Sequence, residues 1–252
     1  MRVFLERYIA LLALIVAVAV WEGACKLFAI PVFILPSPSA IFASVSTLDA
    51  GRWFTHILAT LSVALGGFLL AIVIALPLAI AIVSSKLLAR LVLPWLIVIQ
   101  STPVVAIAPI IVVTLGSGML PRVVITTLIS FFPLVISTAT GMNSVPTELL
   151  ELSKTLRAPR NREYWQIRMP YAVPYIFSAL KVAITLSIIG AVVAEFVAAD
   201  QGLGYLILFS TSSFKIPLAF ASLFLLVVCS LTLYGLVSWL QKRLFPWSID
   251  AK

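Results

Sequence analysis

The sequence predicts an all-α, polytopic membrane protein with about six transmembrane helices, and three observations carry that prediction. Of its 252 residues, 62% are hydrophobic and only 10% charged, with a mean hydropathy of +1.18, whereas roughly a quarter of an ordinary soluble domain is charged. Six runs approach or exceed the ~20 apolar residues needed to cross hydrocarbon: 8–28, 57–84, 91–115, 123–142, 171–199 and 217–240. With both termini placed in the cytoplasm, thirteen of the 17 Lys and Arg, Lys252 included, fall on the inner side, as the positive-inside rule requires. Residues 1–252 therefore read as one multi-pass domain.

The same composition excludes several functions. The net charge of +8 is scattered between apolar runs, unlike the clustered basic face of a nucleic-acid binder. Cys25 and Cys229 lie in apolar segments with no CxxC and no His-bearing partner motif, so they read as small hydrophobes and no metal site is expected. The opening run, with Arg2 and Arg7 before it and Ala17-Val18-Ala19 within it, has some marks of a signal peptide. Its apolar character resumes after Glu22 and continues through Phe28, which favours an uncleaved first helix.

Between the first two runs, Pro36-Ser37-Pro38 stops any helix. Ile41, Val45 and Leu48 then predict a short helix at the outer surface, and Glu22 and Lys26, four apart, are expected to pair. The second run is longer than a perpendicular span needs, so bending is expected at Gly66-Gly67 or Pro77. The third carries Pro94, Pro103 and Pro109, with Gln100-Ser101-Thr102 before the middle proline. Hydrocarbon tolerates such breaks only where neighbours or a watery cavity satisfy the freed groups. Gln100, Ser101 and Thr102 are thus candidates for a translocation path; a proline-kinked packing helix with internally satisfied hydroxyls fits equally. Ser137 and Thr138 in the fourth run join them as candidates. Glu195 is an ionisable group in an apolar helix, by default a functional candidate for a path or gate, though its position near the outer end would also let it reach headgroups or water. Gly202-Leu203-Gly204 then breaks the chain before a segment, 205–213, too short to span, and Pro217 opens the last run.

One charged interruption stands out. Residues 148–170 hold Glu148, Glu151, Lys154, Arg157, Arg160, Arg162, Glu163 and Arg168. Pro146-Thr147 reads as a helix start with Thr147 as cap and Glu148 in the first turn. Leu149, Leu152 and Leu156 give that short helix an apolar face. Pro159 ends it or opens a second helix, which would run through Tyr164, Trp165 and Ile167 to a break at Pro170. A mere solvated loop would not need these apolar residues; two short helices of this kind suit a groove on a soluble partner.

That loop resembles the signature of ABC importer permeases, Glu-Ala-Ala, three residues, Gly, nine residues, Ile, one residue, Leu-Pro. Glu151-Leu152-Ser153 stands for the first triplet, Arg157 for the glycine, Ile167 for the isoleucine and Met169-Pro170 for Leu-Pro. Ser101-Thr102-Pro103, Phe131-Phe132-Pro133, Glu195 with Gly202-Leu203-Gly204, and Arg243-Leu244-Phe245-Pro246-Trp247 extend the likeness from about residue 36 to 247. Together they are similar to the nitrate, sulfonate and taurine branch, with features of the subgroup for thiamine-precursor pyrimidines and riboflavin.

The resemblance implies a type I, MetI-like importer domain in the bacterial cytoplasmic membrane. It further implies that Glu148, Glu151, Leu152, Leu156, Arg157, Ala158, Tyr164, Ile167 and Pro170 form the coupling region for a dimeric ATPase. A second permease copy, most simply an identical one, and an extracytoplasmic substrate-binding protein are implied as partners. Arg157 departs from the family glycine, and Pro159 from a usual capping serine. Either the turn uses another conformation stiffened by Pro159, or the arginine meets an acidic site on the ATPase.

The chain has no GxxxxGK[ST] phosphate loop, HExxH or GxSxG, and its one histidine, His56, stands apart beside the second run. No catalytic residue and no bound cofactor are therefore expected, ATP and Mg belonging to the partner ATPase. The competing reading is an ion-coupled secondary transporter or channel subunit, in which Glu195 would carry the ion.

Overall fold

Proline, glycine and a few polar side chains decide where this helical chain turns. The computed structural model describes residues 2–248, with the side chains of residues 2–7 and 10 left aside; the inner-side placement of Arg2, Arg7 and Lys252 therefore lies outside what is described. The long elements are α1 (Arg2–Leu27), α3 (Ala50–Ser84), α6 (Met119–Asn143), α9 (Met169–Ala198) and α11 (Ile216–Leu244). Between them come the shorter helices α2 (Pro38–Ser44), α4 (Lys86–Ser101), α5 (Val104–Leu115), α7 (Thr147–Thr155), α8 (Arg160–Arg162) and α10 (Leu203–Ser212).

Among the described residues, four helical stretches are long and apolar enough to cross a membrane: 50–84, 119–143, 160–198 and 216–244. A fifth arises if α4 and α5 are taken as one broken span, and the first expected run, 8–28, falls in α1, part of which lies outside the described residues. The expected third span, 91–115, is broken in the middle: α4 and α5 meet at 96°. The cause lies at Thr102-Pro103, where Pro103 cannot donate into the ladder and forces Thr102 into an extended conformation. The first expected run coincides with α1, where the described apolar side chains from Leu11 to Val20 are exposed while Cys25 is buried and Trp21 packs against the core. The α1 helix is tied to its neighbour by Glu22, which pairs with Lys26 at 2.7 Å and accepts from the Ser39 amide and hydroxyl at the start of α2.

The second expected run proves longer than its apolar core. Asp49 caps α3 by accepting from the Gly51 amide, so the helix begins seven residues before position 57 and runs 35 residues, about 52 Å. Pro77 sits inside it without ending it.

The centre is a bundle of α3, α6 and α9 built on small residues. Ala71, Ala75 and Ala79 of α3 and Ala179 and Ala183 of α9 pack around Phe131, Leu134 and Val135 of α6. Thr126 of α6 is wedged between two glycines: a Cβ on Gly67 would overlap its side chain, and one on Gly190 would lie 2.8 Å from its Cα. In lipid, where apolar tails compete for apolar side chains, such close backbone approach is what holds helices together.

Candidate functional site

The charged loop gathers at the end of the bundle where α3 and α6 finish and α9 begins. Pro146, not Thr147, occupies the cap position, and Thr147 is the first helical residue. With ψ of 137°, Pro146 supplies the extended entry itself, so the hydroxyl cap is not used. Glu148 lies in the first turn of α7.

The α7 helix ends in a Schellman-type turn, with Arg157 N donating to Lys154 O at 2.9 Å and Ala158 N to Ser153 O at 3.0 Å. The turn requires a left-handed residue, and Arg157 provides it with φ of 48°. The position thus keeps the conformation that glycine takes freely, at a cost of about 1 kcal/mol for a side-chain-bearing residue. The alternative that this turn uses another conformation is set aside. Pro159 opens the second helix and caps nothing through a side chain.

Contrary to expectation, Pro170 makes no break. From Arg160 the chain stays helical to Ala198, with a π-helical turn over Glu163–Arg168. Pro170 has no N–H for the ordinary ladder, and the wider turn absorbs its ring, as π-bulges do inside α-helices.

Arg168 fastens this turn to the bundle. Its Nε donates to Glu163 at 2.8 Å and one terminal nitrogen to the Met142 carbonyl at the end of α6 at 3.1 Å. The guanidinium also lies over the Tyr164 ring, whose hydroxyl donates to Val83 O at the end of α3. Glu163 and Arg168 are largely shielded, at 16% and 15% side-chain exposure, so this pair is a structural clamp and not solvated surface charge. The apolar residues point the other way: Leu152, Leu156 and Trp165 are 54%, 72% and 60% exposed. Glu151 and Arg157 are exposed, whereas Ala158 and Ile167 are half-buried.

The path candidates do not converge. Ser101 and Thr102 donate to Ile97 O and Val98 O of their own helix, which satisfies the hydroxyls locally, while Gln100 is exposed. Ser137 is half-buried and Thr138 fully so, with a hydroxyl that finds no hydrogen-bond partner. Since Thr126 abuts Gly190 and Gly141 abuts Tyr175, Thr138 and Glu195 lie roughly 25 Å apart along the antiparallel helices.

Glu195 sits at the far end, 1% exposed. Its Oε2 accepts from the Gly204 amide at 2.7 Å, and Thr60 and the Tyr205 amide flank the same carboxylate. The two preceding amides are met from α3: Leu203 N donates to the Thr60 hydroxyl at 2.8 Å, and Gly202 N to His56 Nδ1 at 3.1 Å. Three successive donors at the start of α10 are thus closed by three side chains. Gly202 and Gly204 make room for this, since a Cβ on either would run into the Glu195 carboxylate. His56 is therefore not isolated, and its ring also stacks on Tyr205. Its spacing of four from Thr60 on one helix face was the only sequence sign of that role.

The loop is thus clamped at its base to the ends of α3 and α6, continues into α9, and is apolar at its tip. Residues 67–248, which include both the loop and Glu195, match the family described as binding-protein-dependent transport system inner membrane component. The chain belongs to this family. Among its relatives, a probable ABC transporter permease of Haemophilus influenzae is 35% identical over 93% of this chain and 95% of its own. The riboflavin transport system permease of Chloroflexus aurantiacus is 37% identical over 90% and 85%, and the formylaminopyrimidine transport permease of Halalkalibacterium halodurans 31% over 90% and 91%. The fold is that of the membrane subunit in an inward-facing MetNI methionine ABC transporter, with TM-score 0.67 at 17% identity over 78% of this chain and 99% of the other. The chain is accordingly the multi-pass membrane permease of an ABC importer, working with an ATPase subunit and not itself the catalyst.

Proposed function

We propose that this permease, paired with a second copy of itself, carries a small heteroaromatic solute of the thiamine-precursor pyrimidine or riboflavin class into the cytoplasm by alternating access. Relatives named for these solutes match at 31–37% identity, above the 25% of the aliphatic sulfonate and taurine permeases of Bacillus subtilis and Escherichia coli. An external binding protein delivers the solute. The ATPase dimer, holding ATP and Mg, engages the loop of residues 148–170 on the cytoplasmic side, where both termini of the permease also lie.

The observation that carries this reading is the loop's division of labour: Tyr164 and Arg168 fix its base to α3 and α6, while Leu152, Leu156 and Trp165 stand uncovered. Closure of a groove around those residues would move the ends of three long helices together. In proteoliposomes holding permease, ATPase and binding protein, uptake of labelled pyrimidine or riboflavin should require ATP and should be abolished by Leu152→Asp with Leu156→Asp. Uptake by the permease alone under an ion gradient would sink this reading in favour of a secondary transporter.

A further inference from the structure

Four cations crowd the turn of the loop. Lys154, Arg157, Arg160 and Arg162 are all exposed, and no acidic residue lies between 154 and 162. Of the nearby acids, Glu163 is already held by Arg168 at 2.8 Å, and Glu151, one turn before Lys154 on α7, is exposed and forms no ion pair with any of the four among the described residues. At the centre of this run stands Arg157, carrying a left-handed backbone at the C′ position of α7, where glycine is the unstrained choice. The turn's geometry gives no reason for an arginine, since the motif uses only its backbone, and none of the hydrogen bonds or ion pairs of the described residues involves its guanidinium. Two residues of the adjoining apolar face, Leu152 and Leu156, are uncovered beside it. An apolar strip edged by unpaired cations is matched by a groove with an apolar floor and an acidic rim.

We propose that Arg157 is a specificity contact of this permease: its guanidinium meets a carboxylate on the rim of the ATPase groove, and Lys154, Arg160 and Arg162 supply the surrounding field. This rests on the docking reading above and adds the chemistry of the partner surface. A rim contact of this kind acts through charge and is weakened by salt, and a bidentate guanidinium–carboxylate pair distinguishes arginine from lysine.

Glycine at position 157 separates the two roles of the residue, because it relaxes the turn while removing the charge. Binding of the purified ATPase to the full-length permease is measured in lipid-free neutral detergent at about 0.1 M and 0.5 M salt, with the permease melting temperature followed in parallel. Arg157→Gly should weaken binding about tenfold at the lower salt, lose most of that difference at the higher, and melt no lower than the parent; Arg157→Lys should fall between the two. Unchanged binding of Arg157→Gly, or a loss equal at both salts, overturns the proposal. So does a defect that appears only in nanodiscs containing anionic lipid, which would assign the cations to headgroups. Leu152→Asp with Leu156→Asp serves as the control for docking itself. If that pair abolishes binding while Arg157→Gly does not, docking stands and the acidic-rim contact falls; if the pair binds normally, the docking reading fails first.

Discussion

At one end of the α3–α6–α9 bundle a carboxylate is buried to 1%, with one oxygen accepting from the backbone of α10 and the other without a hydrogen-bond partner; at the other, four cations and three large apolar residues stand in the open. Both ends contain charge in a chain that has little of it, yet only one presents that charge outward. At the far end His56, Thr60 and Glu195, drawn from two long helices, lock a short third one in place. At the loop end Arg168 and Tyr164 perform the equivalent locking one layer further in, which leaves the tip free. Burial and partner geometry, and not the presence of an ionisable residue in an apolar run, separate a structural charge from an available one.

The far end can be broken most severely through its glycines. Gly202→Ala puts a Cβ into the Glu195 carboxylate at φ of 126°, a region that only glycine occupies without strain, and should cost about 3 kcal/mol or more. Thermal unfolding of the detergent-solubilised protein reads this directly. Glu195→Gln, which keeps the shape and an accepting oxygen for Gly204 N–H, should cost about 1 kcal/mol. Normal transport together with that lowered melting temperature would make Glu195 a cap alone. Transport lost with unchanged stability would restore it to the path.

The loop end should break less deeply and with a different signature. Arg168→Ala removes the ion pair to Glu163, the cap on Met142 O and the contact with the Tyr164 ring, and should destabilise by about 2 kcal/mol. Because the loop's base is then loose, ATP hydrolysis should continue while uptake per ATP falls, a split visible when both are measured in the same proteoliposomes. Equal loss of both would mean that Arg168 only holds the fold.

Much of this contrast could be read from the sequence, and the parts that could not share one property. The loop was legible because charge is rare in hydrocarbon and Leu149, Leu152 and Leu156 recur at helical spacing. The break at Pro103 was legible because proline removes a donor wherever it stands, although its 96° sharpness was not. The second helix of the loop runs straight through Pro170 because a π-turn accommodates it, and no local rule distinguishes that from a stop. The α10 cap joins residues almost 150 positions apart, so Glu195 and His56 each looked solitary. Arg157 could not be read either, since a left-handed arginine follows from the Schellman hydrogen bonds around it and from nothing in its own propensity.

Thr138 tests the comparison most finely. It lies in α6 toward the loop end, fully buried, and its Oγ1 meets no partner. An unpaired hydroxyl in an apolar bundle is a loss relative to a methyl group, so Thr138→Val, which keeps the branched shape, should leave stability unchanged or raise it by up to about 1 kcal/mol. If the bundle core is sealed packing, uptake should match the parent. If the hydroxyl faces the solute as the helices open, uptake should fall while the melting temperature holds or rises. That result would move the working region of the molecule away from Glu195 and into the half of the bundle that the coupling loop grips.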